Sequence, residues 1–72
     1  MKTIFITTEY IKLQDLLKLE NLVETGGMAK QLIQEGEVSV NGEICPMRGK
    51  KIRPGDVVSF HGENYTVAYA DS

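Results

Sequence analysis

The sequence predicts an α+β domain in which an αα-hairpin packs on a small, mostly antiparallel β-sheet. Residues 25–36 follow the pattern of one amphipathic helix, with apolar residues at i, i+3 and i+4. Residues 38–45 alternate at strand period around Asn41-Gly42, which is a strong hairpin signal. A chain of 72 residues has room for one hydrophobic core, so we expect a single domain over residues 1–72.

The first part of the chain predicts a strand and a helix. Residues 3–8 are rich in β-branched side chains, with two isoleucines on one side, and we expect this strand to pair with a C-terminal hairpin. Residues 11–21 are predicted to form the first helix, because leucines recur at i, i+3 and i+4. With Lys12 as the N-cap, Asp15 falls in the first turn, where the helix dipole favours an acid.

The second helix is predicted from its start, its buried face and its end. Thr25 is a favourable N-cap residue, because its hydroxyl can accept from an otherwise unpaired N–H of the first turn. Ala29, Leu32 and Ile33 share one face and should be buried. We expect this helix to end near Glu35, before a glycine that can adopt a left-handed conformation.

The segments after the Asn41-Gly42 hairpin are predicted to be short. Residues 46–51 should form a loop, since Pro46 lacks a backbone donor. Residues 53–56 read Arg-Pro-Gly-Asp and fit a type II turn. Two strands are predicted over residues 57–60 and 65–69, with a turn over residues 61–64 between them. Residues 70–72 should fray at the C-terminus.

Charge is distributed unevenly along the sequence. The net charge is −2 and the sequence pI is about 5.2, whereas most nucleic-acid-binding domains are basic. The basic segment, defined as residues 48–53, nevertheless holds four of the eight cations and no acid, so four cations and ten acids remain elsewhere. We therefore expect a local positive patch on an acidic body, whose distant acids are screened beyond about 8 Å at physiological salt.

The sequence contains no pattern typical of an enzyme, a disulfide or a metal site. Cys45 has no second cysteine to pair with, which fits a reducing compartment, and we expect it to act as a small strand hydrophobe. Cys45 and His61 are the only soft ligands for a metal ion, so neither a metal nor another cofactor is expected. His61 is expected to lie on the surface. No apolar run is long enough for a membrane span or a secretory signal. The aromatic residues Phe60, Tyr65 and Tyr69 are expected in the core or half in it.

The central pattern resembles the αL RNA-binding motif, the domain type named after the fourth protein of the small ribosomal subunit. Residues 54–58 are also similar to the closing strand of that family, so the resemblance covers roughly residues 11–60. Within the family, the sequence is most similar to the small stand-alone branch typified by the bacterial YaaA and YbcJ proteins. The pattern is carried by Asp15, Thr25, Ala29, Lys30, Leu32, Ile33, Gly36, Val38, Val40, Asn41 and Gly42.

The resemblance implies a non-catalytic, cytoplasmic bacterial protein that binds structured RNA. Ribosomal RNA, during ribosome assembly or translation, is the expected partner, bound by a monomer through shape and backbone contacts. The start of the second helix can bind phosphate through its N–H groups, and the basic segment can neutralise phosphates. Asn41 is either an RNA contact or only a turn residue. The predicted RNA-binding residues are Lys18, Thr25, Gly26, Gly27, Lys30, Asn41, Arg48, Lys50, Lys51 and Arg53.

Two other functions are compatible with the sequence. The first is a protein-interaction module that has the same fold and uses its acidic surface. The salt dependence of RNA binding and co-sedimentation with ribosomes discriminate this alternative from RNA binding. The second is a sulfur-carrier protein of the β-grasp type, which is disfavoured because the sequence ends in Ala-Asp-Ser rather than Gly-Gly.

Overall fold

The structure, a computed structural model, describes residues 1–70 and is an α+β fold. No helix in this part of the chain is long and apolar enough to cross a lipid bilayer. In chain order the elements are β1 (Lys2–Ile6), β2 (Ile11–Lys12), α1 (Leu13–Leu19), α2 (Gly26–Gln34), β3 (Val38–Val40), β4 (Glu43–Ile44), β5 (Lys51–Ile52), β6 (Val57–Phe60) and β7 (Glu63–Tyr69).

Five strands form the main sheet, in the order β1-β7-β6-β3-β4, while β2 and β5 form a separate antiparallel pair. In the main sheet β1 and β7 run parallel, and the three other pairs are antiparallel. The mostly antiparallel sheet and the pairing of the first strand with the C-terminal hairpin are therefore confirmed.

The hydrophobic core joins the helix pair to one face of the main sheet. The helices contribute residues with no exposed surface, among them Leu16, Ala29 and Ile33. The sheet contributes alternate residues such as Ile4 and Val58, whose neighbours along each strand are exposed or only half-buried. Burial thus follows the predicted helical and strand periods. The exception is Leu32, which is predicted to be buried but is only half-buried against the core.

Both helix starts agree with the prediction at the N-cap residue. Thr25 caps α2, because its Oγ1 accepts a hydrogen bond of 3.2 Å from the N–H of Met28. Lys12 is the N-cap of α1, but it has no side-chain cap hydrogen bond. This first helix is shorter than the predicted span of 11–21, because residues 11–12 pair as β2 and Asn21 has a left-handed φ of 58°.

Three features of the second half differ from the predictions. The loop predicted over residues 46–51 ends one residue earlier, because Lys51 begins β5. The turn predicted over residues 61–64 is a two-residue turn of His61 and Gly62, both with positive φ, and Glu63 already pairs with Phe60. Tyr69 is 55% exposed, because it ends β7 beside the last residue of the edge strand β1.

His61 has the expected surroundings, whereas Cys45 and Ala70 differ in part from the predictions of a strand residue and a frayed end. Cys45 follows β4 directly and is half-buried against the core. His61 is on the surface, with its ring stacked on Phe60 and its Nε2 atom 3.4 Å from Oε1 of Glu37. Ala70 is not frayed, since its N–H donates a 2.7 Å hydrogen bond to the carbonyl of Ile6, while residues 71–72 lie outside the described part of the chain.

Candidate nucleic-acid interface

The basic segment is held against the start of α1 by backbone hydrogen bonds. The N–H of Leu13 donates to the carbonyl of Lys50 at 2.9 Å, and the N–H of Gln14 donates to the carbonyl of Arg48 at 3.0 Å. N–H groups of a first helical turn have no partner within their own helix. The basic segment supplies those partners here, so the positions of its backbone and of α1 are coupled.

A second contact brings a further cation to this surface. In the β2–β5 pair, Ile11 lies opposite Ile52 and Lys12 lies opposite Lys51. Ile52 is fully buried, whereas both lysines are exposed. Lys12 therefore belongs with the cations of the basic segment, although it is not among the residues predicted from the sequence. The two lysines are far apart in the chain, so no local pattern could have identified their proximity.

The ring of Tyr10 contacts two cations of the same segment. The Nζ atom of Lys51 lies 5.0 Å from the ring centroid, and the Cζ atom of Arg53 lies 5.8 Å from it. Both distances fall within the range of cation–π attraction. The preceding loop is ordered by the hydroxyl of Thr8, which donates a 2.8 Å hydrogen bond to the carbonyl of Tyr10. Tyr10 therefore positions two predicted RNA-binding residues, although no sequence pattern pointed to it.

Asp56, the acid nearest to the basic segment in the sequence, accepts hydrogen bonds inside the turn that follows this segment. Oδ2 of Asp56 accepts from the N–H of Arg53 at 2.8 Å, and its Oδ1 accepts from Nδ2 of Asn41 at 3.1 Å. Oδ1 of Asn41 in turn accepts from the N–H of Val57 at 2.9 Å. Asn41 thus has a structural role that joins the β3–β4 hairpin to the start of β6, while its contact with RNA remains a prediction.

The start of α2 contains two glycines that the fold itself does not require. Neither Gly26 nor Gly27 has a positive φ. A Cβ atom built on Gly26 would meet no heavy atom within 4 Å, and one on Gly27 would meet only Oγ1 of Thr25, at 3.7 Å. Glycine is a poor helix former, less favourable than alanine by about 1 kcal/mol in a helix interior. The two glycines leave the backbone at this helix start open to close approach from solvent.

The remaining two predicted residues lie on the helices. Lys18 is exposed on α1 and forms an ion pair of 3.5 Å with Asp15. Lys30 is exposed on α2, next to the buried Ala29. Because α1 contacts both α2 and the basic segment, it connects the two candidate areas. Within residues 1–70, no hydrogen bond or ion pair joins the α2 start to the basic segment directly, so the structure gives two separate candidate areas, one at each place.

The αα-hairpin packed on a small, mostly antiparallel sheet is the architecture of a recognised domain class. A family model described as the S4 domain matches residues 4–68. The chain therefore belongs to the S4 domain family, and the αL resemblance is confirmed.

Two relatives are similar to the chain over most of its length. The "Probable ribosome maturation protein RlbA" of Bacillus subtilis (strain 168) is 48% identical over 59 residues, which cover 82% of this chain and 83% of that protein. The "Putative RNA-binding protein YbcJ" of Escherichia coli (strain K12) is 43% identical over 58 residues, which cover 81% of this chain and 83% of that protein.

Two solved structures have a similar fold. The solution structure of YbcJ from E. coli, described as having an αL motif involved in RNA binding, has a TM-score of 0.70 at 39% identity. The match covers 94% of this chain and 87% of that one. The crystal structure of the 30S ribosomal protein S4e from Thermoplasma acidophilum has a TM-score of 0.67 at 25% identity, covering 90% of this chain and 34% of that one.

Proposed function

We propose that this protein is a non-catalytic factor that binds structured RNA, with ribosomal RNA as its target during ribosome maturation. The observation that carries the proposal is the group of cations on the basic segment, joined by Lys12 and fixed to the start of α1. The S4 family and the names of the two relatives support it. On this proposal the protein acts as a cytoplasmic monomer.

The proposed contacts are mainly with phosphates. Lysine and arginine that neutralise phosphates release condensed counterions, which gives affinity without reading the base sequence. Because the basic segment is hydrogen-bonded to α1 and Tyr10 contacts two of its side chains, the cations are partly ordered before RNA binds. Such preorganisation lowers the entropy that binding has to overcome.

Selectivity among RNAs would come from a second point of contact and from the acidic residues in the rest of the chain. The N–H groups of the α2 start favour a phosphate, and on this proposal Thr25 and Lys30 supply the second point of contact. Lys18 and Lys30 would also extend the patch of the basic segment. Elsewhere the chain carries acids that repel any RNA not held at both points. We therefore propose that the target is recognised by its shape, as is usual for RNA helices whose base edges are hard to reach.

Charge reversal in the basic segment tests the proposal. Lys50→Glu combined with Lys51→Glu should abolish co-sedimentation with ribosomal subunits and binding to their RNA, with an unchanged circular dichroism spectrum. Single alanine replacements should weaken binding to different RNAs about equally. Each should also flatten the salt slope by roughly 0.7 to 1, because one neutralised phosphate is removed from the interface.

Lys2 offers a matched control for the charge change. Lys2→Glu and Lys51→Glu alter the net charge equally, and both residues are exposed on strands. Only the Lys51 variant should lose RNA affinity. If the double reversal at positions 50 and 51 leaves ribosome association intact, the basic segment is a solvated surface, and the acidic surface becomes the candidate contact for a protein partner.

A further inference from the structure

We infer that the groove between β4 and the basic segment receives an unpaired nucleobase of the bound RNA; the inference rests on the proposed function. The groove is an open cavity of about 360 Å³, within the range of about 300–1,000 Å³ that small ligands usually occupy. Its apolar lining residues are Val40, Ile44, Cys45, Pro46 and Met47, and its charged lining residues are Glu43 and Lys50.

The groove contains apolar surface that the fold leaves in contact with water. Ile44 is 64% exposed and Met47 is 62% exposed, although both are large hydrophobic residues. Single exposed apolar side chains are common, but here two of them line one cavity together with the half-buried Cys45. An aromatic ring is a suitable ligand for these side chains, because the thioether sulfur of a methionine makes favourable contacts with aromatic rings.

Backbone hydrogen bonds hold both sides of the groove in place. On one side the N–H of Cys45 donates to the carbonyl of Val38 at 3.0 Å. On the other the N–H of Lys50 donates to the carbonyl of Met47 at 3.1 Å, and the carbonyl of Lys50 accepts from the N–H of Leu13. The groove is therefore preformed, and its wall is continuous with the contact that fixes the basic segment to α1.

Charge indicates a nucleotide rather than an apolar peptide as the occupant. Lys50 and Met47 line both this groove and a neighbouring open groove of about 450 Å³ that also contains Lys51, Arg53 and Asp56. The carboxylate of Asp56 already accepts hydrogen bonds from Arg53 and Asn41, so the cations remain available to a phosphate. A phosphate neutralised there would place its attached base beside Ile44 and Met47. Glu43 lines only the first groove, where its carboxylate repels phosphate and accepts hydrogen bonds, so it favours a base edge that carries an amino group.

Methyl NMR of the wild-type protein tests the groove directly. The probes are the four nucleoside 5′-monophosphates, with ribose 5-phosphate as a matched probe that lacks the base. We expect the methyl signals of Ile44 and Met47 to shift and saturate with at least one nucleotide, and to respond at least about fivefold more weakly to ribose 5-phosphate, roughly 1 kcal/mol of discrimination by the base. The inference would be overturned by equal responses to the two probes or by the absence of any methyl shift. It would also be overturned by methyl shifts that depend on protein concentration without nucleotide, because these would indicate contact between copies of the protein.

Two methionine variants separate the groove from the rest of the surface. Met47→Ala should reduce nucleotide affinity to the level of ribose 5-phosphate, whereas Met28→Ala, which removes a 43% exposed methionine on α2, should not change it. Equal effects of the two variants would contradict the inference. If the nucleotide experiments fail while the Lys50 and Lys51 reversal still abolishes RNA binding, the groove proposal is wrong and the proposed function stands. If nucleotides bind in the groove but the reversal leaves RNA binding intact, the proposed function is wrong, and the groove binds nucleotides that do not belong to a bound RNA.

Discussion

Lys12 and Lys51 lie directly opposite each other in the antiparallel β2–β5 pair. Like charges in this arrangement destabilise a strand pair, and Lys12 is also the N-cap of α1, at the positive end of the helix dipole. Arg53 adds a third cation beside the ring that Lys51 contacts. A bound phosphate would relieve this repulsion, which is why the pair is a sensitive place to test the interface.

Neutralising Lys12 should stabilise the protein and weaken RNA binding. We expect Lys12→Gln to raise the free energy of unfolding by about 0.2–1 kcal/mol at low salt, because the cross-strand repulsion is removed. The gain should shrink at high salt, where exposed charges are screened. Urea unfolding at both salt concentrations measures it, with Lys2→Gln as the control, since Lys2 lies opposite Tyr65 rather than a cation. A gain that is independent of salt would contradict the electrostatic explanation.

Two isoleucines with opposite exposure test the core. Ile33 is fully buried and Ile44 is 64% exposed. Ile33→Ala should therefore lower the free energy of unfolding by about 2–5 kcal/mol, because apolar burial is removed and a cavity is left behind. Ile44→Ala makes the same chemical change on the surface and should alter stability by no more than about 0.5 kcal/mol. Denaturant unfolding of the two variants decides this, and similar losses would show that the helix face is not buried.

Replacing the glycines of the α2 start should change stability and binding in opposite directions. Gly26→Ala with Gly27→Ala should raise the free energy of unfolding by about 0.4–1 kcal/mol per residue, since neither position needs a glycine conformation or lacks space. The added methyl groups should nevertheless lower RNA affinity if phosphate approaches this backbone closely. Thermal unfolding and RNA titration of the same variant measure both effects. Unchanged RNA affinity in the stabilised variant would remove the α2 start from the interface.

Asn41→Gly separates the two roles of Asn41. Glycine can keep the positive φ of 51° but cannot make the side-chain hydrogen bonds to Asp56 and Val57. The free energy of unfolding should therefore fall by about 1–3 kcal/mol. Asn21→Gly is the matched control, because Asn21 also has a positive φ, and within residues 1–70 its side chain makes no hydrogen bond. RNA titration below the unfolding temperature then shows whether the folded Asn41 variant loses affinity. Normal affinity would limit Asn41 to its turn role.

The best-predicted parts of the fold depend on residues that are close together in the chain. Thr25 caps α2 through the N–H of Met28, three residues away, and burial of Ala29 and Ile33 follows directly from helical spacing. The Asn41-Gly42 hairpin has positive φ at both positions, as its composition predicts. The cluster of cations in residues 48–53 is likewise visible in the sequence.

The capped start of α2, the hairpin and the presence of a basic segment could be predicted from the sequence, because local hydrogen bonds and side-chain periodicity are short-range properties. The location of that segment depends on the tertiary structure, which places Lys12 beside Lys51, Tyr10 beside two cations, and the start of α1 on the carbonyl of Lys50. The later start of α1 and the exposure of Tyr69 have the same origin. These features arise from pairing between distant strands, whose partners are selected by the packing of the whole core rather than by neighbouring residues.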